Sequence, residues 1–132
     1  LIAEGFTVGD VADYTVQPKP IDVEGAISSH DLVIQDLLEA APMNPECVML
    51  ADDFKKRKEY GLRKYGVVLH PDNGRDHVKD AFDEVVDLLV YLRTLMVADD
   101  EEMFDVFVED YRAAVQIALK LRIKMTVRSS NG

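Results

Sequence analysis

With a single cysteine, Cys47, the chain can form neither an internal disulfide framework nor a cysteine-ligated zinc site, which suits a reducing compartment. Cys47 itself reads as a small apolar residue. Basic residues are scarce as well: 15 Lys and Arg stand against 25 Asp and Glu, and the net charge of -10 repels a polyanion, which argues against general nucleic-acid binding. Small anionic ligands stay open if metal ions bridge them. No stretch reaches the roughly 18 to 20 consecutive apolar residues that cross a bilayer, so no membrane association is expected. The start, Leu-Ile-Ala-Glu-Gly-Phe, lacks a basic segment followed by an apolar one, and the expected location is the cytoplasm. Leu rather than Met at position 1 leaves room for further native residues before it.

Histidine is equally sparse. His30, His70 and His77 make neither the two-histidine helix motif of zinc hydrolases nor a Glu-x-x-His pair of the di-iron bundle type. His30-Asp31 is a lone His-Asp doublet, and three histidines are a poor supply for the metal phosphohydrolases built on that pair.

What is present fits one domain. The 132 residues are 48% hydrophobic and 30% charged, the balance of an ordinary globular protein. Gly5, Gly9, Pro18, Pro20 and Gly25 break any helical period over residues 1–27, which reads as an extended arm that can pack on a neighbouring subunit. Ser28 or Ser29 can cap a first helix that carries Leu32, Val33, Leu37 and Leu38 and stops before Pro42. A second helix starts near Pro45 and runs toward Tyr60 or Tyr65, with Gly61 and Gly66 as weak or terminal points. Pro71 and Asn73-Gly74 make residues 67–74 a loop, and Asp76 can cap a third helix. A fourth begins after Ala98-Asp99-Asp100-Glu101-Glu102 and gathers Lys120, Arg122, Lys124 and Arg128 toward its end. Residues 129–132 read as a frayed tail. Four helices with short connections predict an all-α, four-helix-bundle-like domain over residues 28–128.

The third helix holds the main signal. At about 100° per residue, Asp80, Asp83, Glu84 and Asp87 fall within one arc of about 100° over two turns. Beside that arc lies a broad apolar face of Ala81, Phe82, Val85, Val86, Leu88, Leu89, Leu92, Leu95 and Met96. Like charges within about 6 Å repel, and a divalent cation would relieve them. Magnesium prefers carboxylate and water oxygens and commonly arrives with phosphate, so the stripe suits a phosphoester or phosphoanhydride site. A solvated acidic face is the plainer alternative.

The second helix supplies the one dense basic segment before the C-terminus, Asp52-Asp53-Phe54-Lys55-Lys56-Arg57-Lys58, followed by Arg63-Lys64-Tyr65. Neighbours three or four apart can form internal salt bridges worth about 0.2 to 0.5 kcal/mol each. The functional alternative makes Asp53, with or without Asp52, a metal ligand. Lys56, Lys64 and Arg75 would then meet phosphate oxygens and Tyr65 a base. Glu59 is open between a ligand role and a pair with Arg63.

Over residues 48–96 the sequence resembles the all-α nucleoside triphosphate pyrophosphohydrolases of the MazG type, in particular their short bacteriophage members. The resemblance rests on Asp53 with Arg57, Gly61 with Tyr65-Gly66, Leu69, Asn73-Gly74-Arg75-Asp76, Asp80-Ala81, Glu84-Val85-Val86-Asp87 and Tyr91-Leu92-Arg93. It implies that Glu84 and Asp87, with acids of the preceding helix, hold Mg²⁺, for which Mn²⁺ can substitute, on a triphosphate. The implied metal set is Asp53, Asp80, Glu84 and Asp87, with Glu84, Asp87 and Asp53 catalytic and Lys56, Lys64, Tyr65, Asn73 and Arg75 binding substrate. A homodimer or homotetramer is implied, and host cytoplasm as the location of a phage protein. Some phage members act on particular deoxynucleoside triphosphates, including dGTP. The sequence departs from the family where Glu-Glu-x-x-Glu is usual: Asp52-Asp53-Phe54-Lys55-Lys56 has Lys in the last acid position. Either Asp80, Asp83 or Glu59 replaces that ligand, or fewer metals bind. The rival class of function is a non-catalytic helical, oligomeric interaction protein whose acidic face docks a basic partner.

Overall fold

The computed structural model describes residues 17–98 and 101–131, with side chains in its last helix described from 102 to 127. Among the described residues there are four helices and no strand: α1 (Ser29–Ala40), α2 (Glu46–Tyr65), α3 (His77–Val97) and α4 (Glu101–Asn131). The chain divides into two compact units, Leu1–Arg75 and Asp76–Gly132. In the first α1 packs on α2, and in the second α3 packs on α4. Short connections make each pair a helical hairpin.

Local chemistry accounts for the helix ends. The Ser28 side chain accepts from the Asp31 amide at 3.3 Å, and the Asp76 side chain accepts from the Lys79 amide at 3.2 Å, so two of the serine and aspartate caps expected from the sequence are in place. Between α1 and α2, the Asn44 side chain accepts from the Glu46 amide at 3.1 Å. Gly61 does not interrupt α2, whereas Gly66 ends it at φ 78°, its amide donating to the Leu62 carbonyl at 2.8 Å. A side chain there carries the left-handed penalty of about 1–2 kcal/mol. Gly66→Ala is therefore expected to lower unfolding free energy by that amount in urea melts with an unchanged denaturant slope. Helix α4 continues through Ser129 and Ser130 to Asn131, past the tail boundary read from the sequence. Extending an established helix costs far less than nucleating one, which lets weak helix formers join its end.

Packing corrects the reading of the third helix. The protected apolar side chains of α3 are Val78, Phe82, Val85, Leu89, Leu92 and Met96, a three-four alternation that makes a narrow seam rather than a broad face. On α4 the matching protected positions include Phe107, Tyr111, Ala114, Ala118, Leu121 and Met125. Val86, Leu88, Val90, Tyr91 and Leu95 stay exposed, Tyr91 at 71%. The first unit follows the same rule, with Ile34 and Leu37 on α1 against Cys47, Ala51 and Phe54 on α2. Two helices bury only the stripe that faces the partner, so a wider apolar face needs a further neighbour.

The arm expected over residues 1–27 is described only from residue 17. Val23 to Ala26 form a turn in which Gly25 takes φ 77° and the Ala26 amide donates to the Val23 carbonyl at 3.1 Å. Residues 18–29 lie on their own chain: the Ile21 amide donates to the Asn73 carbonyl at 3.0 Å and the Ser29 amide to the Leu69 carbonyl at 2.8 Å.

Candidate functional site

Asp80, Glu84 and Asp87 all lie on α3, but the structure sorts the acidic stripe into two kinds of carboxylate. The ammonium of Lys79, its side chain only 13% exposed, donates to both oxygens of Asp83 at 2.6 and 2.8 Å. Asp83 is thereby neutralised within its own helix. Glu84 and Asp87 are exposed, one turn apart, and have no hydrogen bond or ion pair among the described residues. Asp80 is half-buried and has a further interaction of its own. At 1.5 Å per residue, Asp80 and Asp87 are about 10 Å apart along the axis, too far for one ion to touch both. Among the described residues, no three His, Cys, Asp or Glu side chains are gathered as a metal ion requires. Glu84 and Asp87 nonetheless suit magnesium as a donor set: hard oxygens, unneutralised and open to water and phosphate.

Asp53 lies on α2 in the first unit and is exposed, again without a hydrogen bond or ion pair among the described residues. Its neighbour Asp52 pairs with Lys56 at 3.3 Å, a contact exposed on both sides and therefore worth little. Lys56 can leave that pair for a phosphate at small cost. Arg57 sits 5.2 Å from the Tyr60 ring centre, and the Lys64 ammonium lies 5.2 Å from the Tyr65 ring and 5.9 Å from Tyr60. A hydrogen bond to Tyr65, then the charges of Tyr60 and Tyr65, hold the Lys64 pKa above its ordinary value. Lys64 and Tyr65 thus act as one cationic, aromatic surface, and Tyr65 has one ring face already in use.

Asn73 and Arg75 lie in the loop before α3 and are less available than the sequence suggests. Asn73 is 0% exposed; its side-chain oxygen accepts from the Arg75 amide at 3.1 Å, and its side-chain nitrogen has no hydrogen-bond partner. The Arg75 guanidinium donates to the Pro18 carbonyl at 3.0 Å. Beside them His70 is also 0% exposed, its Nε2 at 2.9 Å from the Ile21 carbonyl. A carbonyl only accepts, so Nε2 carries the proton in this contact. Sequence reasoning weighed His70 only as a metal ligand and gave it no structural role, because its partner is 49 residues away. It also missed Lys58, which joins α2 to α1 through Asp31 at 2.8 Å, although a cation on the protected stripe of α2 was visible as an exception to the pattern.

His30, in the first turn of α1, has a buried Nδ1 without a partner. Its pKa is lowered from 6.5, chiefly by desolvation and also by Lys58 and Arg57, against the opposing charge of Asp31. The folded protein therefore keeps His30 neutral at a pH where the unfolded chain already binds a proton. Its contribution to stability is full above pH 6.5 and is lost as pH falls through the window between 6.5 and the lower folded value. Melting temperatures from pH 7.5 down to pH 5 should fall less steeply for His30→Gln than for the native chain.

No protein-family model matches the chain, and neither a curated protein nor a solved structure matches it.

Proposed function

We propose that the protein is a magnesium-dependent nucleoside triphosphate pyrophosphohydrolase, converting a (d)NTP, dGTP or GTP first among them, to the monophosphate and pyrophosphate. The observation that carries this reading is the split within the acidic stripe: Lys79 neutralises Asp83 and leaves Glu84 and Asp87 open, one turn apart, at the Glu-x-x-Asp positions of the MazG-type resemblance. The unneutralised pair is the part of the stripe with capacity for a cation. The choice of guanine rests on the resemblance alone.

In this reading Asp53, Asp80, Glu84 and Asp87 would between them hold two or more Mg²⁺ or Mn²⁺ ions. A divalent ion held there would supply neutralisation of the triphosphate charge and a lowered pKa for the attacking water. Glu84 would accept a proton from the attacking water as the new bond to the α-phosphorus forms and the α–β anhydride bond breaks, releasing pyrophosphate. Lys56 and Arg75 meet the departing pyrophosphate, and Lys64 with Tyr65 receives the nucleoside. The exposed Leu88, Tyr91 and Leu95 adjoin Glu84 and Asp87 on α3 and fit a homodimer or homotetramer in which pairs of helices complete a four-helix arrangement.

Product analysis tests this directly. Purified protein incubated with Mg²⁺ and a panel of NTPs and dNTPs should release monophosphate and pyrophosphate, fastest with dGTP; no turnover of any nucleotide sinks the reading. The non-catalytic interaction protein is the second reading, favoured by the exposed Leu88, Tyr91 and Leu95 beside the acidic stripe. Metal separates the two. A site that binds Mg²⁺ gains about 2.7 kcal/mol at a hundred times its dissociation constant and melts higher, whereas a docking face melts unchanged.

A further inference from the structure

We infer that His70 is a positioning residue: it clasps residues 18–21 as a strap across the loop 70–75 and thereby sets the place of Arg75. Ile21 is held by both of its backbone groups, its amide donating to the Asn73 carbonyl at 3.0 Å and its carbonyl accepting from His70 Nε2 at 2.9 Å. Three residues earlier, the Pro18 carbonyl accepts from the Arg75 guanidinium at 3.0 Å. Between these contacts the Ile21 side chain lies over Gly74, where an added Cβ would stand 3.9 Å from its Cγ1 and Cδ1. Four loop residues, His70, Asn73, Gly74 and Arg75, thus address one four-residue strap.

The strap sequence explains why the hold falls on Ile21. In Pro18-Lys19-Pro20-Ile21 the two prolines have no amide hydrogen, which leaves only Lys19 and Ile21 as donors. Each proline also biases the residue before it toward extended backbone. The strap is therefore stiff and straight before it meets the loop, and one doubly bonded residue can register all of it. His70 and Asn73 are fully buried while Ile21 is itself half exposed, so the clasp is anchored from the loop side. The Asn73 side-chain oxygen accepts from the Arg75 amide at 3.1 Å, which couples the clasp to the backbone of Arg75. That Arg75 then meets phosphate rests on the proposed function; that it is held by the strap does not.

Residue-resolved amide hydrogen exchange on the full chain tests the clasp without reference to turnover. In His70→Ala the Ile21 and Arg75 amides should exchange at least about tenfold faster, while the Gly66 amide, bonded inside the end of α2, keeps its native rate. His70→Gln, whose amide nitrogen can take the place of Nε2, should restore much of the protection. Ile21→Pro removes the strap's donor and leaves the buried side chains intact, and it too should speed exchange at Arg75. Unchanged exchange of Ile21 in His70→Ala, or of Arg75 in both variants, overturns the clasp. Steady-state kinetics with dGTP and Mg²⁺ then reads its consequence: KM should rise about tenfold in His70→Ala with a smaller change in kcat. An unaltered KM alongside accelerated exchange overturns the positioning role. A native protein that turns over no nucleotide but shows the expected exchange pattern removes the hydrolase reading and supports the clasp.

Discussion

Glu84→Gln and Asp87→Asn are each expected to lower kcat for dNTP hydrolysis by about a thousandfold, because metal-held charge stabilisation supplies several kcal/mol and each 1.36 kcal/mol is tenfold in rate. Both side chains are exposed and lack hydrogen bonds and ion pairs among the described residues. Their replacement should therefore leave unfolding free energy within about 0.5 kcal/mol of native. A small gain is the expected sign, since one of two like charges three residues apart is removed. Asp83→Asn is the internal comparison. It removes a carboxylate from the same arc but one already occupied by Lys79, so turnover should change little while stability falls. If Asp83→Asn were as damaging to kcat as Glu84→Gln, or if Glu84→Gln kept native turnover in a folded protein, the assignment of the stripe would be wrong.

Met96→Ala is expected to cost about 2–5 kcal/mol, the largest effect on stability. Met96 and Ala114 are the most protected apolar side chains described on α3 and α4, exposed by only 3% and 4%. In a two-helix seam few other residues can collapse into the space a lost side chain leaves, so the cavity persists. For a unit of this size even the lower bound corresponds to a fall in melting midpoint of at least about 8 °C. Tyr91→Ala on the exposed side of α3 should behave differently. In dilute monomer it should shift stability by no more than about 0.5 kcal/mol, and any larger loss should grow with protein concentration, the mark of a side chain that matters through assembly. Thermal melts of both variants over a hundredfold range of concentration separate the two cases.

The helix boundaries were legible because capping is local: Ser28 and Asp76 answer amides three residues ahead of them, within reach of any sequence reading. The width of the buried face was not. Val86 and Leu88 are as apolar as Val85 and Leu89, and only the presence of a single partner helix decides which two of the four are covered. In the site, the periodicity of Asp80, Asp83, Glu84 and Asp87 was plain, as was Lys79 four residues before Asp83. Periodicity by itself treats the four acids as equals and does not show that Asp83, outside the implied metal set but open as a replacement ligand, already has its counter-ion. Asn73 and Arg75 read as polar loop residues open to substrate, yet Asn73 is buried and Arg75 grips Pro18. Contacts across some fifty residues of sequence, such as His70 with Ile21, leave no periodic trace for spacing arguments to find.

The order of the two helical pairs along the chain has a consequence for biosynthesis. Every contact that closes the first pair, including the Ser29 to Leu69 bond and the clasp on Ile21, lies within Leu1–Arg75. Helical folds close in microseconds to milliseconds, far faster than the roughly 5–20 residues added each second by a ribosome. The first hairpin can therefore close while α3 and α4 are still being translated.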